Sequence, residues 1–89
     1  MNSERWIQAW NEIDLINQAG KSFRIDRLIE FDDRLVILDF KLTIPKIGNI
    51  KRDLYRTQIQ NYIQELARIR PDKPIEGYLV SSEGLMERL

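Results

Sequence analysis

The sequence predicts a single α/β (α+β) domain over residues 1–89, with a mixed central β-sheet flanked by helices in the order (α)-β-β-β-α-β-(α). Two apolar, strand-like runs, 23–31 and 34–42, are separated by the turn-forming pair Asp32-Asp33 and therefore predict an antiparallel hairpin. An amphipathic helical stretch and a further apolar run follow the hairpin. A strand–helix–strand unit of this kind predicts a parallel pair in the same sheet.

The composition limits the chemistry that the chain can support. The 89 residues include no cysteine and no histidine, which excludes disulfides, thiolate metal sites, a cysteine nucleophile and imidazole acid–base catalysis. A metal could be held only by carboxylate and carbonyl oxygens, which favour Mg²⁺, Mn²⁺ or Ca²⁺. No apolar run approaches the ~18 residues of a membrane span, so we expect a cytoplasmic protein without a membrane partner.

The N-terminal segment has two interpretations. Residues 3–10 predict a short helix with Ser3 as its N-cap. That helical period can be extended to Gly20, or the helix can end near Trp10 and be followed by a strand over 11–17. Periodicity alone does not separate the two alternatives. We favour the strand, because Ala19 and Gly20 then form a hairpin turn into the next strand.

The alternation of side chains assigns faces to the two hairpin strands. In the first, one face comprises Phe23, Ile25, Ile29 and Phe31. The second strand is apolar on both faces, which predicts a central strand covered on both sides. A two-residue loop pairs Phe31 with Arg34 and places Asp26 opposite Asp39, with Cβ atoms about 4.5–5.5 Å apart. Period two puts Lys41 on the same face as Asp39.

The second half of the chain predicts a helix between two strands. Asn49 can cap a helix over 50–70, and Pro71 ends it. Its expected apolar stripe comprises Leu54, Ile59, Tyr62, Ile63, Leu66 and Ile69. Residues 75–81 predict a strand parallel to 34–42. Ser82 can cap a last short helix over 83–89.

Asp26, Asp39 and Lys41 are charged residues within apolar strands, which normally contain few aspartates. Two aspartates on one face can hold a hard divalent cation. The cation would activate water for attack on a phosphate, and a lysine can stabilise the charge that develops. The simpler interpretation is an ion pair between Asp39 and Lys41 at the margin of the sheet, with Asp26 solvated.

The predicted helix adds two further features. Gln58 and Tyr62 are four residues apart and therefore share a face. Taken on their own, they are best interpreted as a core residue, Tyr62, and a boundary residue, Gln58. A basic cluster, which we predict to bind DNA, comprises Lys46, Lys51, Arg52 and Arg56. Cations in the first turns of a helix interact unfavourably with its dipole. Phosphate binding is one explanation for these residues, and a solvated basic face is the other.

The pattern IDR…ILDFK…Q-x-x-x-Y resembles the RecB-like branch of the PD-(D/E)xK nuclease superfamily, especially the C-terminal nuclease domain of UvrD-type helicase–nucleases such as RecB and AddA. The resemblance implies a restriction-endonuclease-like core and Mg²⁺-dependent (or Mn²⁺-dependent) DNA cleavage in recombination or repair. The implied site residues are the metal ligands Asp26, Asp39 and the Phe40 carbonyl, the catalytic Lys41, the accessory pair Gln58 and Tyr62, and an upstream acid for which Glu4 and Glu12 are the candidates.

The resemblance also implies partners. We expect DNA and a helicase domain or subunit, with residues 1–89 forming either a minimal nuclease or the C-terminal piece of a larger helicase–nuclease. An alternative is a catalytically inactive module that binds DNA or a helicase. A third hypothesis is a homo-oligomer in which Trp6 and Trp10 belong to apolar surface that a second chain covers.

Overall fold

The computed structural model describes residues 6–89, with Trp6 described by its backbone alone, and shows a mixed five-stranded sheet with one helix. The elements are β1 (Trp6–Ile16), β2 (Ser22–Phe31), β3 (Leu35–Lys41), α1 (Ile50–Ile69), β4 (Ile75–Ser81) and β5 (Met86–Arg88). The strands lie in the order β1-β2-β3-β4-β5. β3 and β4 are parallel, as the sequence predicts, and the other neighbours are antiparallel.

The β1–β2 hairpin decides between the two interpretations of the N-terminal segment. Residues 11–16 belong to β1, which confirms the strand. Its turn is closed by the side chain of Asn17, which accepts from the amides of Ala19 and Lys21 at 2.9 and 3.0 Å, and Gly20 adopts the left-handed conformation with φ 82°.

The short helix predicted over 3–10 is wrong from residue 6 onward, because these residues pair with β2, for example Trp10 with Leu28. A backbone ladder with a neighbouring strand outweighs the weak helical period of five residues. Ser3 and Glu4 lie outside the described residues. Trp10 is partly buried and packs against the main core cluster, so it contributes little of the exposed surface expected for a homo-oligomer.

The predicted register of the β2–β3 hairpin is confirmed. The Phe31 amide donates to the Arg34 carbonyl at 2.9 Å across the Asp32-Asp33 turn. The described pairs then run from Glu30–Leu35 to Arg27–Leu38. The backbone ladder ends there, one step before Asp26 and Asp39.

The face assignment of β2 is wrong in its second half. Ile25 and Leu28 lie three apart yet share the core cluster on the helix side of the sheet. Ile29 and Phe31 line a shallow cavity on the opposite face, with Val36, Leu38, Tyr78 and Met86. A local irregularity accompanies the switch, because Glu12 of β1 has a φ of 51° between the pairs Asn11–Arg27 and Ile13–Ile25. Alternation therefore breaks at Asp26, beside the irregular residue.

The helix α1 begins where the sequence predicts. The Asn49 side chain accepts from the Lys51 amide at 2.8 Å, which is an N-cap contact. Ile59 and Leu66 are buried, but Leu54 and Ile69 are 61% and 47% exposed and do not belong to the buried stripe. Arg52 is buried instead. Within residues 6–89 the sheet carries one helix, so the prediction that helices cover both faces of β3 is wrong for this part of the chain.

The last helix, predicted over 83–89, is also wrong. The chain turns at Gly84, whose φ is 86°, and β5 pairs antiparallel with β4. The Ser81 hydroxyl accepts from the amides of Glu83 and Leu85 at 3.3 and 3.2 Å. The β4–β5 hairpin satisfies these amides and pairs the edge of β4. A short helix without a surface to pack against would be only marginally stable. In the described residues no helix has the length and apolar character needed to cross a membrane.

Gly77 allows α1 to approach β4 closely. A Cβ added at Gly77 would lie 2.3 Å from Ile59 Cγ2 and 3.2 Å from Ile63 Cδ1. We expect Gly77→Ala to lower the free energy of unfolding by about 1–3 kcal/mol through overpacking, as measured by urea denaturation. Ile59→Ala removes the clashing methyl, so the double variant should lose less than the sum of the single variants. Strict additivity would contradict this account.

The loop after α1 is held to β2 by Glu30. Its carboxylate accepts from Arg70 Nη2 at 2.9 Å and from Lys73 Nζ at 2.7 Å, and these contacts lower its pKa from 4.5 to about 2. A lowered pKa stabilises the fold above about pH 4.5, and this stabilisation is lost as the pH falls towards 2.

We therefore expect Glu30→Gln to lower the melting temperature at pH 7 by several degrees, with the difference from wild type shrinking below pH 4.5. Thermal scans from pH 2.5 to 7 measure it. Glu83→Gln, a substitution in the exposed β4–β5 turn, is the matched control and should change little. An equal loss in both variants would contradict the role assigned to Glu30.

Candidate functional site

The candidate site lies at the end of β3, where pairing with β2 stops and pairing with β4 continues through Asp39–Leu79 and Lys41–Ser81. The Phe40 amide, left without a backbone partner on β2, donates to Asp26 Oδ2 at 2.9 Å. The Asp26 side chain thus takes the place of a ladder carbonyl. This hydrogen bond brings the Asp26 carboxylate to the buried Asp39, as the predicted register requires.

Asp39 is the most constrained charged group of the site. Its side chain is 7% exposed, and its Oδ2 has no hydrogen-bond partner within the described residues. The pKa of Asp39 is raised from 3.8 to about 6, with burial as the largest cause and a hydrogen bond with Asp26 as the next, while the charge of Lys41 acts in the opposite direction. A buried acceptor without a donor is costly, so Asp39 is held in an environment that a bound cation would improve.

Lys41 lies on the same face as Asp39, as predicted. Its Nζ is 3.3 Å from Asp39 Oδ2 and 4.4 Å from the centre of the Tyr55 ring, over which it lies. The distance to Oδ2 is that of an ion pair, but Oδ2 makes no hydrogen bond. The ammonium is therefore an ion-pair partner of the Asp39 carboxylate, and its charge acts to lower the pKa of that group.

Gln58 and Tyr62 form a contact on the helix above the carboxylates. Gln58 Nε2 donates to Tyr62 Oη at 2.8 Å, and the Tyr62 ring stacks on Phe23 with centroids 5.1 Å apart. Burial raises the pKa of Tyr62, and the charges of Asp39 and Asp26 raise it further. The helix pair and the two aspartates, which are far apart in sequence, thus lie within electrostatic reach of one another.

An open groove adjoins this pair. It has a volume of about 460 Å³ and is lined by Phe23, Gln58 and Tyr62 together with Asn17, Lys21, Ser22, Asn61, Gln64 and Glu65. Its side chains are mostly uncharged and polar, with aromatic rings at one wall. A groove of this size and lining could accept a nucleotide-sized group. Neither aspartate lines it, and it shares only Gln58 and Tyr62 with the candidate site.

Glu12, the one candidate for the upstream acid within the described residues, does not join the site. Glu12 is 73% exposed and lies 3.5 Å from Arg24 in an ion pair on the β1–β2 hairpin. Glu4 lies outside the described residues. Among the residues that are described, no group of three or more acidic side chains could hold a metal ion. Asp26 and Asp39 therefore come together as a pair, and the Phe40 carbonyl remains a prediction as their companion ligand.

The predicted basic cluster separates into two roles. Arg52 is 6% exposed, and its Nη1 donates to Glu87 Oε2 at 2.8 Å and to the Pro45 carbonyl at 3.1 Å. It ties α1 to β5 and is not placed to contact DNA. Lys46, Lys51 and Arg56 are exposed. These three side chains retain the character expected of a phosphate-binding surface.

Tyr55 is the site residue that the sequence pattern did not identify. It precedes Tyr62 by seven residues and therefore lies on the same face of α1, two turns earlier. That spacing was the available signal. Its contact with Lys41 depends on how α1 packs across β3 and β4, which no local pattern specifies.

No protein-family model matches the chain, and a search of curated proteins found no match either.

Proposed function

We propose that the chain is a divalent-metal-dependent DNA nuclease module of the RecB-like PD-(D/E)xK type, acting in DNA recombination or repair. The observation that carries the proposal is the buried Asp39 carboxylate, which lies next to Asp26 and forms an ion pair with Lys41. A restriction-endonuclease-like core is part of the proposal. Its support is the β-β-β-α-β order from β1 to β4, in which the strands before and after α1, β3 and β4, are parallel.

The residues present fit a hard divalent cation. Within the described residues Asp39 Oδ2 accepts no hydrogen bond, and its ion-pair partner is Lys41 at 3.3 Å. Asp26 uses Oδ2 for the Phe40 amide, which leaves its other oxygen as a possible metal ligand. Mg²⁺ keeps several waters and is commonly held by one or two carboxylates together with substrate phosphate. We propose Asp26, Asp39 and the Phe40 carbonyl as its protein ligands. When bound, the metal supplies Lewis-acid polarisation of the phosphate and an acidified water.

The other residues act on the substrate. The Lys41 ammonium lies beside Asp39 and is placed to stabilise the negative charge that develops on the phosphate. Gln58 and Tyr62 line the groove, and the charges of Asp39 and Asp26 act on Tyr62, so this pair can orient a DNA strand near the site. Lys46, Lys51 and Arg56 supply sequence-independent attraction to the DNA backbone. A helicase domain or subunit remains the proposed partner.

A second candidate function is a catalytically inactive module that binds DNA or a helicase. The observation that favours it is the absence of a third acidic ligand in the described part of the chain, because Glu12 is paired with Arg24 instead. Such a module would keep the basic surface and the groove but would not bind the cation.

One experiment separates these functions. Mn²⁺ should raise the melting temperature of the wild-type protein by mass action, and single-stranded or duplex DNA should be cleaved only with Mg²⁺ or Mn²⁺. Asp39→Asn should lose both effects. Asp32→Asn, a substitution in the exposed turn of the same hairpin, should keep both. DNA binding without a Mn²⁺ shift or cleavage would favour the inactive module, and cleavage that survives Asp39→Asn would exclude the proposed site.

A further inference from the structure

The groove beside α1 is lined mainly by amides and aromatic rings. Its lining includes four side-chain amides, from Asn17, Gln58, Asn61 and Gln64. Two charged residues, Lys21 and Glu65, also line it, and Glu65 already forms an ion pair with Arg68 at 3.3 Å. A DNA backbone is bound chiefly through cations, so this lining favours an uncharged polar group over a chain of phosphates.

Two of the amides are held in place by contacts within the protein. Asn17 Oδ1 accepts from the amides of Ala19 and Lys21 at 2.9 and 3.0 Å, which leaves the nitrogen of this side chain to donate. Gln58 Nε2 donates to Tyr62 Oη at 2.8 Å, which leaves Gln58 Oε1 to accept. A fixed donor and a fixed acceptor lose little conformational freedom on binding, and the edge of a nucleobase presents groups of both kinds.

The aromatic wall of the groove supplies a stacking surface. Phe23 and Tyr62 both line the groove, and their rings are nearly parallel, with an interplanar angle of 13° and centroids 5.1 Å apart. Both residues are half-buried, so a planar base can extend this stack. Stacking on an aromatic ring tolerates every base, but a base reaches such a ring only after it has left the duplex stack.

We propose that this groove binds one unpaired base of a DNA strand, which stacks on the Phe23–Tyr62 wall and bonds to the groove amides, so that the preferred substrate has a single-stranded end. The substrate preference rests on the proposed function, because it takes Gln58 and Tyr62 as members of both the groove and the candidate site. The base site itself does not rest on it. Lys21 is available for the phosphate of the same nucleotide.

The base site is tested by NMR without divalent metal, using thymidine 5′-monophosphate in large excess and, as its counterpart without a base, deoxyribose 5-phosphate. The nucleotide should shift the side-chain amide signals of Asn17, Gln58, Asn61 and Gln64, and the sugar phosphate should not. Gln60, which is exposed on α1 outside the groove, should respond to neither compound. Equal shifts from the two compounds, or no shift from the nucleotide, would overturn the base site.

The requirement for an unpaired base is tested by fluorescence anisotropy without metal, with a short oligothymidine strand and a blunt duplex of the same length. Asn61→Ala should weaken binding of the single strand about three- to tenfold, the loss of one hydrogen bond to the base. Gln60→Ala, the neighbouring substitution on the exposed surface of α1, is the matched control and should bind like wild type. Neither variant should change binding of the duplex.

An Asn61→Ala variant that binds the single strand as wild type does would overturn the inference. An equal loss for strand and duplex would do the same, because it would mark Asn61 as a backbone contact. If both binding results hold but Mg²⁺ supports no cleavage, the proposed function fails and the base site stands. Cleavage that favours blunt duplexes over single strands would overturn the substrate preference alone.

Discussion

Lys41→Met is expected to lower the rate of metal-dependent DNA cleavage about 10²- to 10³-fold, the usual cost of removing one group that stabilises transition-state charge. Mn²⁺ binding should be retained, because the ammonium is not a ligand. Single-turnover cleavage with protein in excess measures the rate, and a Mn²⁺ titration of the same variant measures the binding.

Lys46→Met provides the contrast for this prediction. Lys46 lies in the exposed loop before α1, and its proposed role is to attract the DNA backbone. The variant should raise KM and lower the salt dependence of binding without changing the rate of the bound complex. If Lys41→Met showed the same KM effect with an unchanged rate, Lys41 would be a DNA contact and not a catalytic residue.

Asp39→Asn is expected to stabilise the metal-free protein at pH 7 by on the order of 2 kcal/mol. Burial and the neighbouring Asp26 together raise the pKa of Asp39 from 3.8 to about 6, against the opposing charge of Lys41, so between these values the folded protein binds more protons than the unfolded chain. Wild-type stability therefore falls as the pH rises through this window, and the full penalty is present above pH 6. The D39N variant carries no such penalty.

The measurement is urea denaturation from pH 3.5 to 8 without divalent metal. The two proteins should be similar near pH 3.5, diverge up to about pH 6 and stay apart above it, while Asp32→Asn should follow wild type throughout. Saturating Mn²⁺ should stabilise wild type alone and reduce the gap. A D39N variant that is less stable than wild type at pH 7 would show that Asp39 is a stabilising ion-pair partner of Lys41.

The parts of the fold that follow from local chemistry were predictable. The Asp32-Asp33 turn sets the register that brings Asp26 to Asp39, and the cap at Asn49 sets the start of α1. Both depend on residues within a few positions of one another. The placement of Asp39 and Lys41 on one face was predictable for the same reason, since the two residues are two positions apart on one strand.

The errors concern long-range partners. Arg52 looked like a surface cation because its partner, Glu87, is 35 positions away on a strand that the sequence did not predict. Residues 6–10 follow a helical pattern, but pairing with β2 outweighs it. The change of face in β2 comes with a left-handed residue, Glu12, on the neighbouring strand, and strict alternation cannot foresee it.

The hydrogen bond from the Phe40 amide to Asp26 affects how loss-of-function variants at this position should be interpreted. Asp26→Ala removes a proposed metal ligand and also breaks the hydrogen bond between the Asp26 side chain and the Phe40 amide of β3. A loss of function in this variant could therefore come from misfolding as well as from inactivity. Asp26→Asn keeps an oxygen that can accept from the amide while losing the negative charge. Genetic complementation with the asparagine variant is thus the cleaner way to ask whether a cell needs this chemistry or only this protein's shape.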